Sequence, residues 1–245
     1  MFIDRVATQL FSAPELAPLS ASLAAGEDAN LAVAQSARPL VVAATWARDP
    51  RPCLLIVSGE EAADRVARAL SAWLGQGVVL RYPDRGDWPW SDRAADVAVI
   101  GARAHAMMRL SLGENCVVVA SARSLLRRVP PVGSGYFMPS TFAVGDELEI
   151  GDAAELLVGM GYADVGASKD VSVPGSFCLH GDSLDVFPAQ ASSPVRVEFF
   201  GDEIDRVRRM VPATGQTIGD CTDVSVLPCR EIALTHETIG RAQEA

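Results

Sequence analysis

Apolar and polar positions follow two different rhythms along the chain. Up to about residue 126, short apolar runs recur: Leu40–Ala44, Cys53–Val57, Val78–Leu80, Val97–Ile100 and Cys116–Ala120. Continuous apolar runs of that length predict buried parallel strands. Between the second and third, Glu60–Leu74 places Ala62, Val66, Ala69, Leu70 and Trp73 on one face and Glu61, Arg65 and Arg68 away from it. That spacing predicts an amphipathic helix, with Ser58 or Gly59 near its start. Arg103–Leu112 and Ser121–Val129 are further short helical patterns. Strands and helices in series predict a doubly wound α/β layer.

The rhythm changes after Pro130-Pro131. Gly133, Gly135 and Pro139 mark a loop, and Phe142–Ile150 opens a smaller unit. Asp152–Met160 predicts a short helix in which Ala153, Leu156 and Leu157 are apolar. Asp152 favours its first turn, and Gly161 closes it by taking a left-handed conformation. Three strand-like pieces follow, Gly175–His180, Ser183–Phe187 and Val195–Phe200, with turns at Gly181-Asp182 and Gly201-Asp202. This α+β insert ends near Val211. Residues 212–245 then give a strand at Val224–Leu227, a stop at Pro228 and a polar helical tail. The tail ends without a capping signal, as expected of a piece cut from a longer chain.

Composition narrows the function classes. The 245 residues are 49% hydrophobic, enough for one large or two smaller cores. No run approaches the roughly 18 apolar residues of a membrane span, and the N-terminus has no secretion signal. The five cysteines (53, 116, 178, 221 and 229) are odd in number and form no CxxC pair, which predicts free thiols in a reducing cytoplasm. Net charge is −10. All but one of the 21 basic residues are arginines spread along the chain, the exception being Lys169. An acidic chain without a basic stripe predicts a protein partner rather than bare DNA.

The familiar catalytic constellations are missing. A P-loop needs glycines, so that backbone amides wrap the phosphates, and a lysine to reach them. Asn30–Arg38, the place where such a loop would lie, has neither, and Lys169 lies in G-A-S-K-D without a glycine cradle. Gly159-Met-Gly161 follows a helix and reads as its cap, not as a dinucleotide fingerprint. Gly181-Asp-Ser183-Leu-Asp185 lacks the last glycine of a nucleophile elbow and leads into a strand. The three histidines (105, 180 and 236) are far apart, and close Cys or His pairs that would hold zinc are missing. The residues therefore argue for a non-enzyme without cofactor or metal.

Two stretches are candidates for function. In Pro194–Arg209, strand alternation sends Val195, Val197 and Phe199 to one face and Arg196, Glu198 and Phe200 to the other. Arginine beside an aromatic suits a protein contact. An ordinary solvated face with a cross-strand ion pair is the competing reading. Arg206, Arg208 and Arg209 either touch phosphate or pair with Asp202, Glu203 and Asp205. The loop Arg81–Asp92, with Trp88 and Trp90, either stacks on a base or seals the edge of the sheet.

These stretches carry a resemblance. H-G-D-S-L-D-V-F-P-A (180–189) and S-P-V-R-V-E-F-F-G-D-E-I-D-R-V (193–207) resemble the module shared by transcription-repair coupling factors and excinuclease B. In both families this module binds excinuclease A, the damage-recognising component of nucleotide excision repair. Y-P-D-R-G-D-W-P-W-S-D (82–92) is similar to the coupling factors' "F-P-x-x-E-x-L-P-Y" loop, and V-V-V-A-S-A-R-S-L-L-R-R-V-P-P (117–131) to their strand and helix before the insert. The matches run in the right order over most of residues 40–232. The resemblance implies an α/β fold: a helicase-like parallel sheet with helices on both faces, interrupted by a small α+β insert. It implies a degenerate helicase domain at 1–127, an insert binding excinuclease A at 128–211, and a truncated return to the first domain at 212–245.

The resemblance further implies a cytoplasmic, non-catalytic adaptor in nucleotide excision repair. It would mimic excinuclease B and recruit excinuclease A to stalled RNA polymerase. ATP, Mg and the DNA translocase activity would belong to a motor elsewhere in the parent chain, as would the contacts with RNA polymerase and DNA. Besides excinuclease A, the remainder of the parent chain is an expected partner, and a membrane is not. The partner-binding residues so implied are Phe177, His180, Arg196, Glu198, Phe200, Arg206 and Arg208. Where excinuclease B reads roughly F-R-V-R-G-D, this chain has Phe177-Cys-Leu-His180-Gly-Asp182, so Cys178 and His180 replace two arginines. Ala163 likewise follows Gly161-Tyr162 where many coupling factors carry arginine. The alternative is a DNA-contacting fragment of an excinuclease B-like helicase, but that protein should show a P-loop and an aromatic-rich hairpin.

Overall fold

The computed structural model describes residues 2–87, 92, 94–130, 133–166, 171–212, 214–232, 240 and 243. In chain order the elements are α1 (Phe2–Phe11), α2 (Ala17–Ala25), α3 (Arg38–Arg48), β1 (Cys53–Val57), α4 (Glu60–Leu74), β2 (Val79–Tyr82), α5 (Val97–Ser111) and β3 (Val117–Ser121). There follow β4 (Ser140–Ala143), α6 (Ile150–Met160), β5 (Ala163–Asp164), β6 (Ser176–His180), β7 (Ser183–Phe187), β8 (Val195–Phe200), β9 (Glu203–Met210), β10 (Thr217–Cys221) and β11 (Asp223–Val226). Contacts divide the chain into one unit of residues 1–84 and 112–126 and another of 85–111 and 127–245.

The first unit is a three-stranded parallel sheet in the order β1-β3-β2. Its helices pack on one face. Ala43 of α3 and Ala63, Ala67 and Leu70 of α4 meet Val117 and Val119 of β3, joined by Cys53, Leu55 and Val57. The α4 stripe is thus shifted by about one residue from the expected Ala62/Ala69 line. On the other face of β1, Leu54 and Ile56 stand 49% and 54% exposed. Arg81 fastens β2 to α4, donating to Asp64 at 2.8 Å and Glu60 at 3.0 Å and to the Val119 carbonyl at 2.8 Å.

Two apolar runs expected as strands are helices. Leu40–Ala44 lies inside α3 and Val97–Ile100 opens α5. A short apolar run looks alike in a buried strand and a buried helix, and length decides between them. Here each run continues into alanine-rich sequence, and Pro39 sits in the first turn of α3, where its missing N–H costs nothing. Only Arg123–Leu125 of the pattern Ser121–Val129 is helical, as a single 3-10 turn. Asn30–Arg38 follows helix α2 rather than a strand, so the setting of a P-loop is missing as well as its residues. The tryptophan loop at Trp88 and Trp90 and most of the expected C-terminal helix lie outside the described residues.

The second unit is built on a six-stranded sheet in the order β10-β9-β8-β7-β6-β5. Its pairs are antiparallel except β5–β6. The inner face carries Phe177, Leu184, Val186, Val195, Val197, Ile204 and Val207, which pack with Ala153 and Leu157 of α6 into one core. Each large apolar side chain of this set contributes about 1.5–3 kcal/mol on burial. Gly161 ends α6 at φ 92°, the left-handed cap that glycine takes without strain. The described strands of residues 212–245 belong to this unit. β10 pairs with β9 and β11 pairs with β4, all of them strands of the second unit.

Three features lock this unit. The Tyr162 hydroxyl donates to the Leu227 carbonyl at 3.0 Å and accepts from the Ala189 amide at 3.1 Å. Gly101 lets α5 approach closely, since a Cβ there would lie 2.1 Å from the Ala189 carbonyl oxygen. Arg103, fully buried in α5, pairs with buried Glu231, which also accepts from Arg85 at 3.0 Å. Arg85 in turn holds Asp87 at 2.9 Å, and Arg127 lies 3.2 Å from the same carboxylate.

Candidate functional site

The outer face of the six-stranded sheet is mostly polar because strand alternation sends most apolar positions inward, while at its β6–β7 end Cys178 and Phe187 are buried with Val171. Register turns that face into two rows of facing residues. One row runs Cys178, Asp185, Arg196, Arg208 and Asp220 across five strands. The other runs His180, Ser183, Glu198 and Arg206 across four. In the first row Arg196 and Arg208 face each other with Asp185 and Asp220 on their far sides, and Glu198 of the second row faces Arg206 and bonds Arg208, so each arginine has an acid beside it.

The ion pairs are well formed. Arg196 donates through Nε to Asp185 Oδ1 at 2.6 Å and through Nη2 to Oδ2 at 2.7 Å. This two-point grip fixes the carboxylate plane. The side chain of Asp185 is 3% exposed and that of Arg196 29%. Hydrogen bonding to Asp185, more than any other influence, raises the Arg196 guanidinium above its usual value. Arg208 pairs with Glu198 one row away and reaches Thr217 Oγ1 at 3.4 Å.

Of the residues expected to bind a partner, six belong to this outer surface. His180, Arg196, Glu198 and Arg208 are partly buried, while Arg206 is exposed and Phe200 is 83% exposed at the end of β8. Phe177 is a correction. It is 1% exposed and packs in the core beneath the sheet. It sits between Ser176 and Cys178, whose side chains point the other way, so strand alternation turns its ring inward. Ala163, expected to matter through a missing arginine, lies in β5 at the sheet edge and is exposed.

Asp185 is absent from the residues that sequence reasoning picks out, yet it organises the face. It faces Cys178 on β6 and Arg196 on β8. Its only sequence signal is an acid at an alternating position within Ser183–Phe187. That signal gains meaning only once register sets Arg196 opposite. Cys178 Sγ lies 3.0 Å from His180 Nε2, and Asp185 Oδ2 lies 3.8 Å from the same nitrogen. All five cysteines are outside disulfides.

Residues 141–231 match the UvrB interaction domain family. The chain is 36% identical over 201 residues to a transcription-repair-coupling factor of Myxococcus xanthus, covering 79% of this chain and 16% of that protein. It is 31% identical over 242 residues to the transcription-repair-coupling factor of Mycobacterium bovis, covering 95% and 19%. It is 26% identical over 228 residues to UvrABC system protein B of Thermotoga petrophila, covering 88% and 34%. The chain thus spans less than a fifth of the length of these two coupling factors.

Proposed function

The chain belongs with the N-terminal region of the transcription-repair-coupling factors and carries their UvrB interaction domain, and from that premise we propose that it is a non-catalytic adaptor recruiting excinuclease A. The recruiting surface is the outer face of the six-stranded sheet, offered in place of the equivalent face of excinuclease B. Nucleotide excision repair would thereby be directed to a stalled RNA polymerase. The motor, its ATP and Mg, and the polymerase and DNA contacts lie in other parts of the parent protein.

One observation carries the reading. The module similar to excinuclease B presents exposed Phe200 and Arg206 beside the ion-paired rows of its outer face. An aromatic and an arginine on a rigid sheet, ringed by polar groups, suit a protein interface. The same face argues against the alternative of a DNA-contacting helicase fragment. Its rows set Arg196, Arg206 and Arg208 against Asp185, Glu198 and Asp220. A phosphate-tracking surface needs an uncompensated excess of positive charge.

Hydrogen exchange of the chain with and without purified excinuclease A tests this. Protection confined to β6–β9 is expected. Saturable binding with protection only in the first unit would place the contact elsewhere and overturn the assignment of the face.

A further inference from the structure

Cys178, His180 and Asp185 bring a thiol sulfur, an imidazole nitrogen and a carboxylate oxygen within 4.8 Å of one another. Cys178 and His180 are two apart on β6 and so share the outer face, while Asp185 is the cross-strand partner of Cys178 on β7. We propose that these three side chains form a binding site for a divalent metal of the zinc class.

The donor set suits that class. Thiolate and imidazole favour a borderline-soft ion, and a carboxylate completes three protein ligands with a fourth position open. Tetrahedral zinc, with bonds of about 2.3 Å to sulfur and about 2.0–2.1 Å to nitrogen and oxygen, sets its ligands about 3.3–3.6 Å apart. The sulfur–nitrogen and nitrogen–oxygen separations here are 3.0 and 3.8 Å, a few tenths of an ångström away on either side. The His180 side chain is 31% exposed, so the cluster reaches solvent on that side. Arg196 holds Asp185 through both carboxylate oxygens, Oδ2 included, and outer groups that hold a carboxylate in this way orient it as a ligand. On binding, the Cys178 thiol gives up its proton. Thiolate and carboxylate then balance the two metal charges, leaving Arg196 to set the net charge of the cluster.

A nucleophilic Cys–His–Asp triad would look different. There the acid holds one ring nitrogen while the other takes the thiol proton. Here sulfur and carboxylate both approach Nε2, so Asp185 does not hold the second ring nitrogen. The cysteine is also fully buried, against the needs of a nucleophile meeting substrate.

Titrating the 245-residue chain with Co2+ under reducing conditions tests the proposal without reference to excinuclease A. Expected are a thiolate charge-transfer band in the near ultraviolet and visible bands of tetrahedral intensity, saturating at a single equivalent and displaced by Zn2+. Both disappear in Cys178→Ser and in His180→Gln and survive in Cys221→Ser. His180 is part-exposed, so His180→Gln decides the matter even where Cys178→Ser fails to fold. No such band in the unsubstituted chain, or a band that survives His180→Gln or is lost with Cys221→Ser, overturns the site.

Discussion

Arg196 and Asp185 face each other on neighbouring strands and are joined by two hydrogen bonds, at 2.6 and 2.7 Å. The acid is almost wholly buried and the arginine is not. Arg196 is therefore a clamp before it is a contact. Its removal strands a buried carboxylate, which costs about 1–3 kcal/mol. Urea unfolding of Arg196→Ala should show that loss of stability, and Arg206→Ala, on an exposed side chain, should show almost none. Equal stabilities for the two variants would contradict the clamp.

Glu231 receives both Arg103 and Arg85. Glu231→Ala leaves Arg103 buried without its carboxylate, a change worth about 3–5 kcal/mol. Thermal unfolding should show a large drop in Tm for Glu231→Ala. Arg123→Ala is the comparison, since the Arg123–Asp84 pair at 2.9 Å is more exposed. Its Tm should move little.

Gly101→Ala tests the closeness of α5. A methyl group there would collide with the backbone of Ala189, which no side-chain rotation relieves. Destabilisation of about 1–3 kcal/mol is expected, although alanine has the better helix propensity. A stabilised variant would mean that α5 sits further from Ala189.

Stability should fall on the alkaline side. Burial, the largest influence, raises the Cys229 thiol from 9.0 to about 12. It raises the Tyr136 hydroxyl from 10.0 to about 12 and Tyr162 further still. The folded chain thus keeps protons that the unfolded chain has already released. The stability these groups contribute is whole below the unfolded values and is lost as pH rises from about 9 towards about 12. Urea midpoints measured across that range should decrease steadily. The same burial predicts that Cys229 resists a thiol reagent at about pH 8 while the protein is folded.

Much of the second unit was legible in the sequence, for physical reasons. The turns at Gly181-Asp182 and Gly201-Asp202 and the alternation in Val195–Phe200 define three of its strands, and the cap at Gly161 defines the end of α6. Leu40–Ala44 and Val97–Ile100 misled because a short apolar run fits a buried strand and a helix equally and only its continuation decides. Register was invisible, and with it the rows that bring Cys178, His180 and Asp185 together. A search for zinc pairs by spacing misses a site assembled across two strands. The Arg103–Glu231 pair, 128 residues apart in sequence, has no local signature at all.

Recruitment of excinuclease A through the outer sheet face is decided by titrating the chain against the purified protein, unsubstituted and as Phe200→Ala/Arg206→Ala. Both side chains are exposed, so the variant should keep its fold, as circular dichroism and Tm would verify. Saturable binding by the unsubstituted chain is expected, weakened about tenfold or more by the double substitution, as where an aromatic and an arginine anchor an interface. No binding by a folded chain, or equal affinity in the two, would contradict recruitment through this face.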